Sequence, residues 1–366
     1  MRANPYRGLP DFQFWSRGVT WQAPGHLDPM IEDHWIKPHE RIATLGSCFA
    51  QHLARNMAGL GLNYYVAENA PPGMTSDEAR KKNYGVFSAR YGNVYTVRQA
   101  VQLFQRAFGM FAPCDDVWSV ADGGFVDAFR PNIEPAPLED EATVRRAAQS
   151  HLACVRQMFL EANWIVFTLG LTEGWRSLKD GAVYPVAPGV AGGRFDPCSY
   201  GFANFSSRMV QEDLATFVDL VESVNPTCRL ILTVSPVPLI ATYEHQHVLT
   251  ATTYSKSVLR VAAEEIARER KNVVYFPSYE IITAPGVAGT YYADDLREVK
   301  SSGVRHVMRV FNKHFVEPDP QSLHATPVSS VSASRFAQAL SSPSNDENSV
   351  ICDENIIEAS VNSIAR

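Results

Sequence analysis

The sequence predicts an α/β domain in which helices cover both faces of a parallel sheet. Short apolar segments alternate along the chain with segments in which apolar residues recur at helical spacing. The predicted strands are apolar throughout rather than at every second residue, as in a sheet that is buried on both faces. The 366 residues are 45% hydrophobic and 20% charged, a composition typical of a folded protein with a sizeable core.

Five strands and the helices between them make up this alternation. The first strand covers residues 42–45, and Phe49, Leu53 and Met57 then recur at helical spacing. The later strands are predicted at residues 62–67, 164–169, 230–234 and 273–276, and the later helices at residues 140–162, 207–224, 250–270 and 301–315. The pattern indicates a three-layer, doubly wound domain with five parallel strands.

The regions outside this alternation divide the chain. Residues 70–138 contain Pro- and Gly-rich loops and a helix at residues 97–109, which indicates an insertion after the second strand. The end of the chain is rich in Ser, Pro and Asn, so we expect a mostly flexible tail with a short helix near residues 352–361. An N-terminal arm, an α/β domain and a C-terminal tail are thus predicted at residues 1–40, 41–317 and 318–366.

Composition also argues against several classes of protein. The formal net charge is −6 and no cluster of Lys and Arg is present, which disfavours a nucleic-acid partner. The N-terminus lacks the apolar run of a signal peptide, and the longest uncharged apolar run, residues 164–171, is too short to span a membrane. The six cysteines form no CxxC pair, so we predict free thiols and neither a metal ion nor a cofactor. We expect a cytoplasmic protein.

The segment "GSCFA" after the first strand is the first place to look for chemistry. Ligands of open parallel sheets bind beyond the carboxyl ends of the strands, and Ser47 lies there. Its hydroxyl is either a nucleophile or the N-cap of the following helix, and both roles fit a helix N-terminus, whose N–H groups also stabilise an oxyanion. Cys48 is the rival nucleophile, but we expect its thiol to point into the interface between sheet and helix, where buried thiols are inert.

Several motifs in the order found here are similar to those of a known family. "TLGSCFA", "NYG", "VSPV", "YSKS" and "YFPSYEI", spread over residues 41–315, resemble the GSCFA family, a branch of the SGNH (GDSL-like) hydrolase superfamily. The resemblance implies a sheet of order 2-1-3-4-5 and attack of Ser47 on an ester carbonyl. It also implies an oxyanion held by the serine N–H, by a glycine N–H after the second strand and by an asparagine side chain after the third.

Two of these oxyanion positions are transferred to this chain. The glycine is Gly85 of "NYG", with Gly92 of "YGN" as the second choice. The third position departs from the family, since Thr172 stands where asparagine is expected and is followed by Glu173, which we interpret either as part of the site or as a loop carboxylate. A weaker donor there slows turnover, because loss of one donor costs about a hundredfold.

The general base is the larger departure. The resemblance implies Asp and His three residues apart after the fifth strand, but here Asp295 is followed three positions later by Glu298. Glutamate titrates at about 4 and histidine at about 6.5, so Glu298 does not replace the missing base.

Two histidines are candidates for that base. His247 lies in the loop after the fourth strand, on the ligand side of the sheet, and is our first choice. His306 lies on the last helix, at about 12 Å from position 298 if the chain between them is helical, or one turn into the helix if the helix begins at residue 301. Asp295, or Asp294 in its place, is expected to orient the histidine or to cap the last helix.

The sequence therefore predicts a serine esterase or acyltransferase. We expect it to form an acyl-enzyme at Ser47 from a small-molecule or saccharide-linked O-acyl ester. The alternative is a non-catalytic, ligand-binding member of the same fold, since a fold alone does not establish activity.

Overall fold

In the computed structural model, which describes residues 4–23, 25–317 and 352–357, the centre of the molecule is a parallel sheet of four strands. In chain order the strands of the protein are β1 (Ile42–Gly46), β2 (Val117–Ser119), β3 (Phe125–Asp127), β4 (Trp164–Leu169), β5 (Glu173–Ser177), β6 (Val183–Tyr184), β7 (Tyr200–Asn204), β8 (Arg229–Val234) and β9 (Val273–Tyr275). The central sheet has the order β1-β4-β8-β9, and all of its pairs are parallel.

Helices lie on both faces of this sheet. In chain order they are α1 (Cys48–Gly59), α2 (Ser76–Lys81), α3 (Val97–Ala107), α4 (Glu141–Glu161), α5 (Ser207–Val224), α6 (Val248–Glu269), α7 (Ser278–Thr283), α8 (Ala288–Tyr291) and α9 (Ser301–Phe315). One face packs against α3, α4, α5 and α6, and the other against α1, α7 and α9. The α/β class is thus confirmed.

Alternate residues of each strand supply the two cores. Ala43 and Leu45 of β1 point to the α3–α6 side, whereas Ile42 points to the α1–α9 side. All five residues of β1 and all six of β4 are buried, as expected for strands covered on both faces. The apolar runs of the sequence are therefore explained by burial on two sides.

The predicted second strand is reduced to a single contact. Of residues 62–67, Tyr64 alone forms a bridge, parallel to Ile42 on the outer edge of β1. The other four predicted strands are present and pair in the relative order that the 2-1-3-4-5 arrangement implies for them. The central sheet therefore has four strands rather than five in the described part of the chain, because residues 62–67 leave the edge of β1 after one bridge.

The predicted insertion contains part of the main core. Helix α3 begins at a capping box in which Thr96 and Gln99 exchange side-chain and backbone hydrogen bonds, and it buries Ala100 and Phe104 against α4 and α5. Helix α3 is therefore one of the helices that cover the central sheet, rather than part of a separate inserted subdomain.

A small antiparallel sheet was missed by the sequence analysis. No strand was predicted between residues 170 and 206, but β5 pairs there with both β6 and β7. Trp118 of the β2–β3 hairpin and Tyr184 of β6 pack together in a satellite core.

The ends of the described chain lie against the domain. The arm runs beside α9, where Ile36 is buried and its N–H donates to the Phe315 carbonyl at 2.7 Å. Of the predicted tail, residues 318–351 and 358–366 lie outside the described residues, and residues 355–357 form a short helical turn. Among the described helices, none combines the length and the apolar character needed to cross a membrane.

Candidate functional site

The turn from β1 into α1 places Ser47 at the carboxyl edge of the sheet. Gly46 has φ +132°, and a β-carbon at that position would lie 2.2 Å from the Thr168 carbonyl oxygen of β4. Only glycine allows so close an approach. The Ser47 N–H donates to the same carbonyl at 3.2 Å, which fixes the residue against the end of β4.

The hydroxyl of Ser47 is buried and does not cap the helix. Ser47 occupies the N-cap position of α1, but its side chain makes no capping hydrogen bond. The side chain is 3% exposed, and its Oγ has no hydrogen-bond partner within the described part of the chain. A buried polar atom without a partner is costly, so its retention calls for an explanation other than stability.

Two backbone segments form the walls around this serine. A β-carbon built on Gly170 would lie 3.1 Å from the Ser47 β-carbon, so the first residue after β4 is in contact with the serine. The Tyr95 carbonyl accepts hydrogen bonds from the N–H groups of Gly170 and Leu171, at 3.2 and 3.0 Å. The Val94 N–H donates to Gly46 at 2.9 Å.

Of the two candidate glycines, Gly92 lies closer along the chain to this wall. It stands two residues before Val94, whose N–H contacts the turn of Ser47. Gly85 is exposed in the turn after α2, with nothing within 4 Å of a β-carbon built there. The structure thus brings the region of the second choice, rather than that of Gly85, to the serine.

Thr172 is buried, but its hydroxyl is already used. Its Oγ1 donates to the Asn204 side-chain oxygen at 2.7 Å, and its N–H donates to Ser255 Oγ at 2.9 Å. The neighbouring Glu173 accepts from the Thr242 hydroxyl at 2.7 Å, and burial raises the pKa of its carboxyl. Thr172 and Glu173 therefore hold the β5–β7 region to the domain, and the Thr172 proton does not point to an oxyanion in this state.

Neither candidate histidine contacts Ser47. His306 is buried, and its Nδ1 is bonded to the Tyr291 hydroxyl at 2.8 Å and its Nε2 to the Leu27 carbonyl at 2.7 Å. His247 is exposed, and its Nδ1 accepts from the Leu249 N–H at the start of α6. Both rings are held by structural hydrogen bonds.

Asp295 has no histidine partner either among the residues that the structure describes. Its Oδ1 accepts from the N–H groups of Arg297 and Glu298, both at 3.0 Å, and so stabilises a local turn. Glu298 is exposed, while the Arg297 side chain is 15% exposed and turns inward. An arginine thus takes the inward place on the loop where the family resemblance led us to expect a histidine.

Lys256, the lysine of the "YSKS" motif, is a functional candidate to which the sequence analysis assigned no catalytic role. It lies on α6, is 2% exposed, and its Nζ donates to the Gly170 carbonyl at 2.5 Å. Its ammonium is thereby tied to the residue that packs on Ser47. Desolvation lowers the pKa of Lys256 to about 8. Within the described residues, no carboxylate lies within ion-pair distance of it.

Residues 352–357, which we call the C-terminal segment, lie over this site. The N–H of Asp353 donates to the Tyr95 hydroxyl at 3.0 Å, and the Asp353 carboxylate accepts from Asn93 and Asn132, both at 2.8 Å. Glu354 accepts from Arg297 at 2.7 Å. Asp353 and Glu354 are both buried.

The segment also brings a second thiol to Cys48. Cys48 is buried as predicted, but its thiol is hydrogen-bonded to Cys352 rather than enclosed by apolar groups alone. This bond, together with burial, raises the pKa of Cys48 well above its usual value. The same bond lowers the pKa of Cys352 to about 6, and Arg297 adds to the effect. Of the two thiols, Cys352 is therefore the one whose deprotonated form is favoured.

Glu354 shares Arg297 with that thiolate. Burial, followed by the charge of Cys352, raises the pKa of Glu354 to about 7. No signal in the sequence pointed to these contacts, since Asp353 and Asn93 are 260 residues apart.

Comparisons with known proteins identify the family of this chain. The model of the GSCFA family matches residues 41–311, the region that contains the central sheet and its helices. A solved structure of a variant acetyl-xylooligosaccharide esterase from Geobacillus aligns with 79% of this chain and 100% of its own, at 12% identity and a TM-score of 0.30, which is too weak a likeness to support a function. No curated protein sequence matches the chain significantly. Because the family model covers most of the chain, including the glycine–serine turn at the sheet edge, the protein belongs to the GSCFA family.

Proposed function

We propose that this protein is a serine esterase or acyltransferase of the SGNH type that acts on a small-molecule or saccharide-linked O-acyl ester. The observation that carries the proposal is the buried Ser47 hydroxyl, which is the N-cap of α1 without capping it and has no partner in the described residues. A hydroxyl held free at a helix N-terminus is what an acyl-transfer nucleophile requires.

The N-terminus of α1 supplies the proposed oxyanion site. The first N–H groups of a helix lack partners within the helix, and those of Cys48 and Phe49 begin α1 directly beside Ser47. The N–H of Ser47 itself donates to Thr168. We therefore assign the oxyanion to Cys48 and Phe49 rather than to the Ser47 N–H, Gly85 or Thr172.

Lys256 replaces His247 and His306 as the proposed general base. Its amine is buried, is held at the residue that packs on Ser47, and has a pKa lowered to about 8 by desolvation. A substantial fraction is therefore neutral near pH 8, as a base must be. Serine–lysine pairs are an established variant of the serine, histidine and aspartate arrangement.

The proposed reaction has two balanced steps. Neutral Lys256 accepts the Ser47 proton as Oγ attacks the ester carbonyl, and the resulting ammonium gives that proton to the leaving alcohol as the carbon–oxygen bond breaks. Water, or an acceptor hydroxyl, then attacks the acyl-enzyme with Lys256 again accepting and returning one proton.

The competing proposal is a ligand-binding protein without catalysis. It is favoured by the absence of a histidine at Ser47 among the described residues and by the C-terminal segment, which binds Asn93 and Tyr95 near the serine. In that case a ligand binds at the carboxyl edge of the sheet and the Ser47 hydroxyl forms no covalent bond.

A fluorophosphonate probe separates the two proposals. We expect the full-length protein to be labelled on Ser47, as shown by peptide mapping, and expect Ser47→Ala to abolish labelling and to lower ester turnover by about a thousandfold or more. Ser150→Ala, an exposed serine on α4, is the matched control and should be labelled like the wild type. A folded protein that is never labelled, or a Ser47→Ala variant that retains turnover, would establish the binding alternative or another nucleophile.

A further inference from the structure

We propose that a pocket beside Ser47 binds a carboxylate group of the substrate, and that the C-terminal segment is an internal competitor for this pocket. The identification of this ligand as the substrate rests on the proposed function. The pocket, which we call the carboxylate pocket, consists of Asn93, Tyr95, Asn132, Lys256 and Arg297. Its ligand class is an ester with a carboxylate a few bonds from the ester carbonyl.

The first support is how completely Asp353 is bound. Its two carboxylate oxygens accept from separate amides, Asn93 and Asn132, each at 2.8 Å, and its N–H reaches the Tyr95 hydroxyl. These donors come from two different stretches of the chain, yet they converge on one buried carboxylate. Two amide donors that converge on one carboxylate indicate a site specific for a carboxylate rather than a surface that binds any peptide.

The second support is the charge left behind when the segment departs. The ion-pair partner of Arg297 in the described residues is Glu354 of the segment, and Lys256 has no carboxylate within ion-pair distance in that same part of the chain. The domain thus contributes two buried cations, Arg297 and Lys256. Within the described residues, no carboxylate of the domain itself forms an ion pair with either of them. Since a buried cation without an anion is costly, another anion is expected to enter when Glu354 leaves.

The third support is the position of the segment relative to the nucleophile. Cys352 is hydrogen-bonded to Cys48, the residue that follows Ser47 in the chain. Tyr95 joins the two parts, because its hydroxyl accepts from Asp353 while its carbonyl binds Gly170, which packs on Ser47. The carboxylate pocket therefore shares Tyr95 with the wall of Ser47, and this shared residue is what brings a substrate carboxylate to the side of the proposed acyl site.

The occupancy of the pocket is tested on full-length protein by alkylation of Cys48. Glu354→Lys puts a third cation beside Arg297 and Lys256 and should expel the segment, whereas Glu317→Lys makes the same charge change at an exposed position. We expect iodoacetamide to modify Cys48 roughly tenfold faster in Glu354→Lys than in the wild type or the control, a ratio that corresponds to a modest change in interaction free energy. Asp353→Lys should act in the same way.

Ligand class is read in the same assay. In Glu354→Lys, succinate should slow the alkylation of Cys48 and neutral succinamide should not. A peptide of residues 350–358 with serine in place of Cys352 should also protect the thiol. Equal rates of Cys48 alkylation in the wild type and in both lysine variants would contradict the proposal that the C-terminal segment occupies the pocket. Equal effects of succinate and succinamide would contradict the proposal that the pocket binds carboxylates.

Turnover provides the second readout. We expect kcat/KM for 4-methylumbelliferyl hemisuccinate to exceed that for the butyrate ester of equal chain length, and expect Arg297→Gln to lower this ratio by about tenfold. A ratio unchanged by Arg297→Gln would contradict the pocket. If neither ester is hydrolysed and Ser47 is not labelled even in Glu354→Lys, the proposed function fails, while the alkylation of Cys48 still decides whether the pocket binds carboxylates.

Discussion

Two clusters of buried charges in this molecule have similar composition and opposite organisation. One, which we call the Glu68 network, contains Glu68, Arg90, Asp127, Arg130 and His151. The other is the carboxylate pocket with the C-terminal segment in it. Each places buried carboxylates against arginine, but the first is complete within residues 68–151 and the second is completed by residues from the end of the chain.

The pKa values of the two glutamates show the difference. Burial acts to raise the pKa of Glu68, but the hydrogen bond from His151 and the charge of Arg130 outweigh it and hold the pKa below its usual value. Glu354 also lies against an arginine, but burial and the Cys352 thiolate raise its pKa to about 7. The fold stabilises the charge of Glu68 and not that of Glu354. Charges that serve stability are surrounded by permanent partners, whereas an anion that is to be exchanged is not.

The largest effect is expected from neutralising Glu68. Glu68→Gln leaves Arg90 and Arg130 without part of their compensating charge and should lower the free energy of unfolding by about 3–5 kcal/mol. Urea denaturation measures this loss. Glu212→Gln, which breaks an exposed pair with Arg208 on α5, is the matched control and should leave the midpoint nearly unchanged.

Glu354→Gln sharpens the same comparison. It should change the free energy of unfolding much less than Glu68→Gln, because the Cys352 thiolate still faces Arg297 and the charged form of Glu354 was not favoured. Losses of equal size at both glutamates would show that the pocket is a structural network like the first.

Acid should weaken the Glu68 network through His151. Burial, aided by Arg130, lowers the pKa of His151 to about 4, while the unfolded chain titrates at about 6.5. The unfolded state therefore binds a proton that the folded state does not bind, and stability that is complete above pH 6.5 is lost as the pH falls towards 4. The difference amounts to about 3 kcal/mol for a shift of this size.

The measurement is the midpoint of urea unfolding as a function of pH. His151→Gln keeps a donor for Glu68 and removes the titration, so its stability should depend less on pH between about 6.5 and 4 than that of the wild type. His39→Gln, at an exposed position, should follow the wild type. A His151→Gln variant with an unchanged slope would place the acid sensitivity elsewhere.

What the sequence predicted of the fold and of the candidate site was the local part. The strand, Gly46, Ser47 and the following helix are neighbours in the chain, so their geometry follows from strand and helix patterns. The bounds of α5 and α9 were likewise predicted from apolar periodicity and coincide with those observed. The strand predicted at residues 62–67 did not form. An edge strand needs several consecutive residues paired with its neighbour, and in this segment Tyr64 is the one residue that forms a bridge to β1.

The rest of the site depends on distant residues. Lys256 acquires its place from a carbonyl 86 residues away, and Asp353 from an amide 260 residues away. No periodicity or cap signal records such contacts. The histidines were chosen by topology, which placed them in loops but not in hydrogen-bond reach of Ser47, and the packing of Tyr291 and Leu27 around His306 decided its role instead.

The smallest effect on stability, and the one closest to the chemistry, is expected at Lys256. Desolvation lowers the pKa of its ammonium to about 8, so the neutral base accumulates as the pH rises. The rate kcat/KM for an ester should therefore rise with pH and level off above an apparent pKa of about 8. Lys256→Met, which keeps the length of the buried side chain, should lower kcat by about a hundredfold or more and abolish this dependence.

The control for Lys256 is a lysine that lies outside the site. Lys271→Met changes an exposed lysine just after α6 and should preserve both the rate and its pH profile. If Lys256→Met instead keeps the pH profile of the wild type, the lysine only positions Gly170 through its carbonyl. Lys256 would then take no part in proton transfer. The carboxylate pocket would differ from the Glu68 network only in that its carboxylates come from the C-terminal segment.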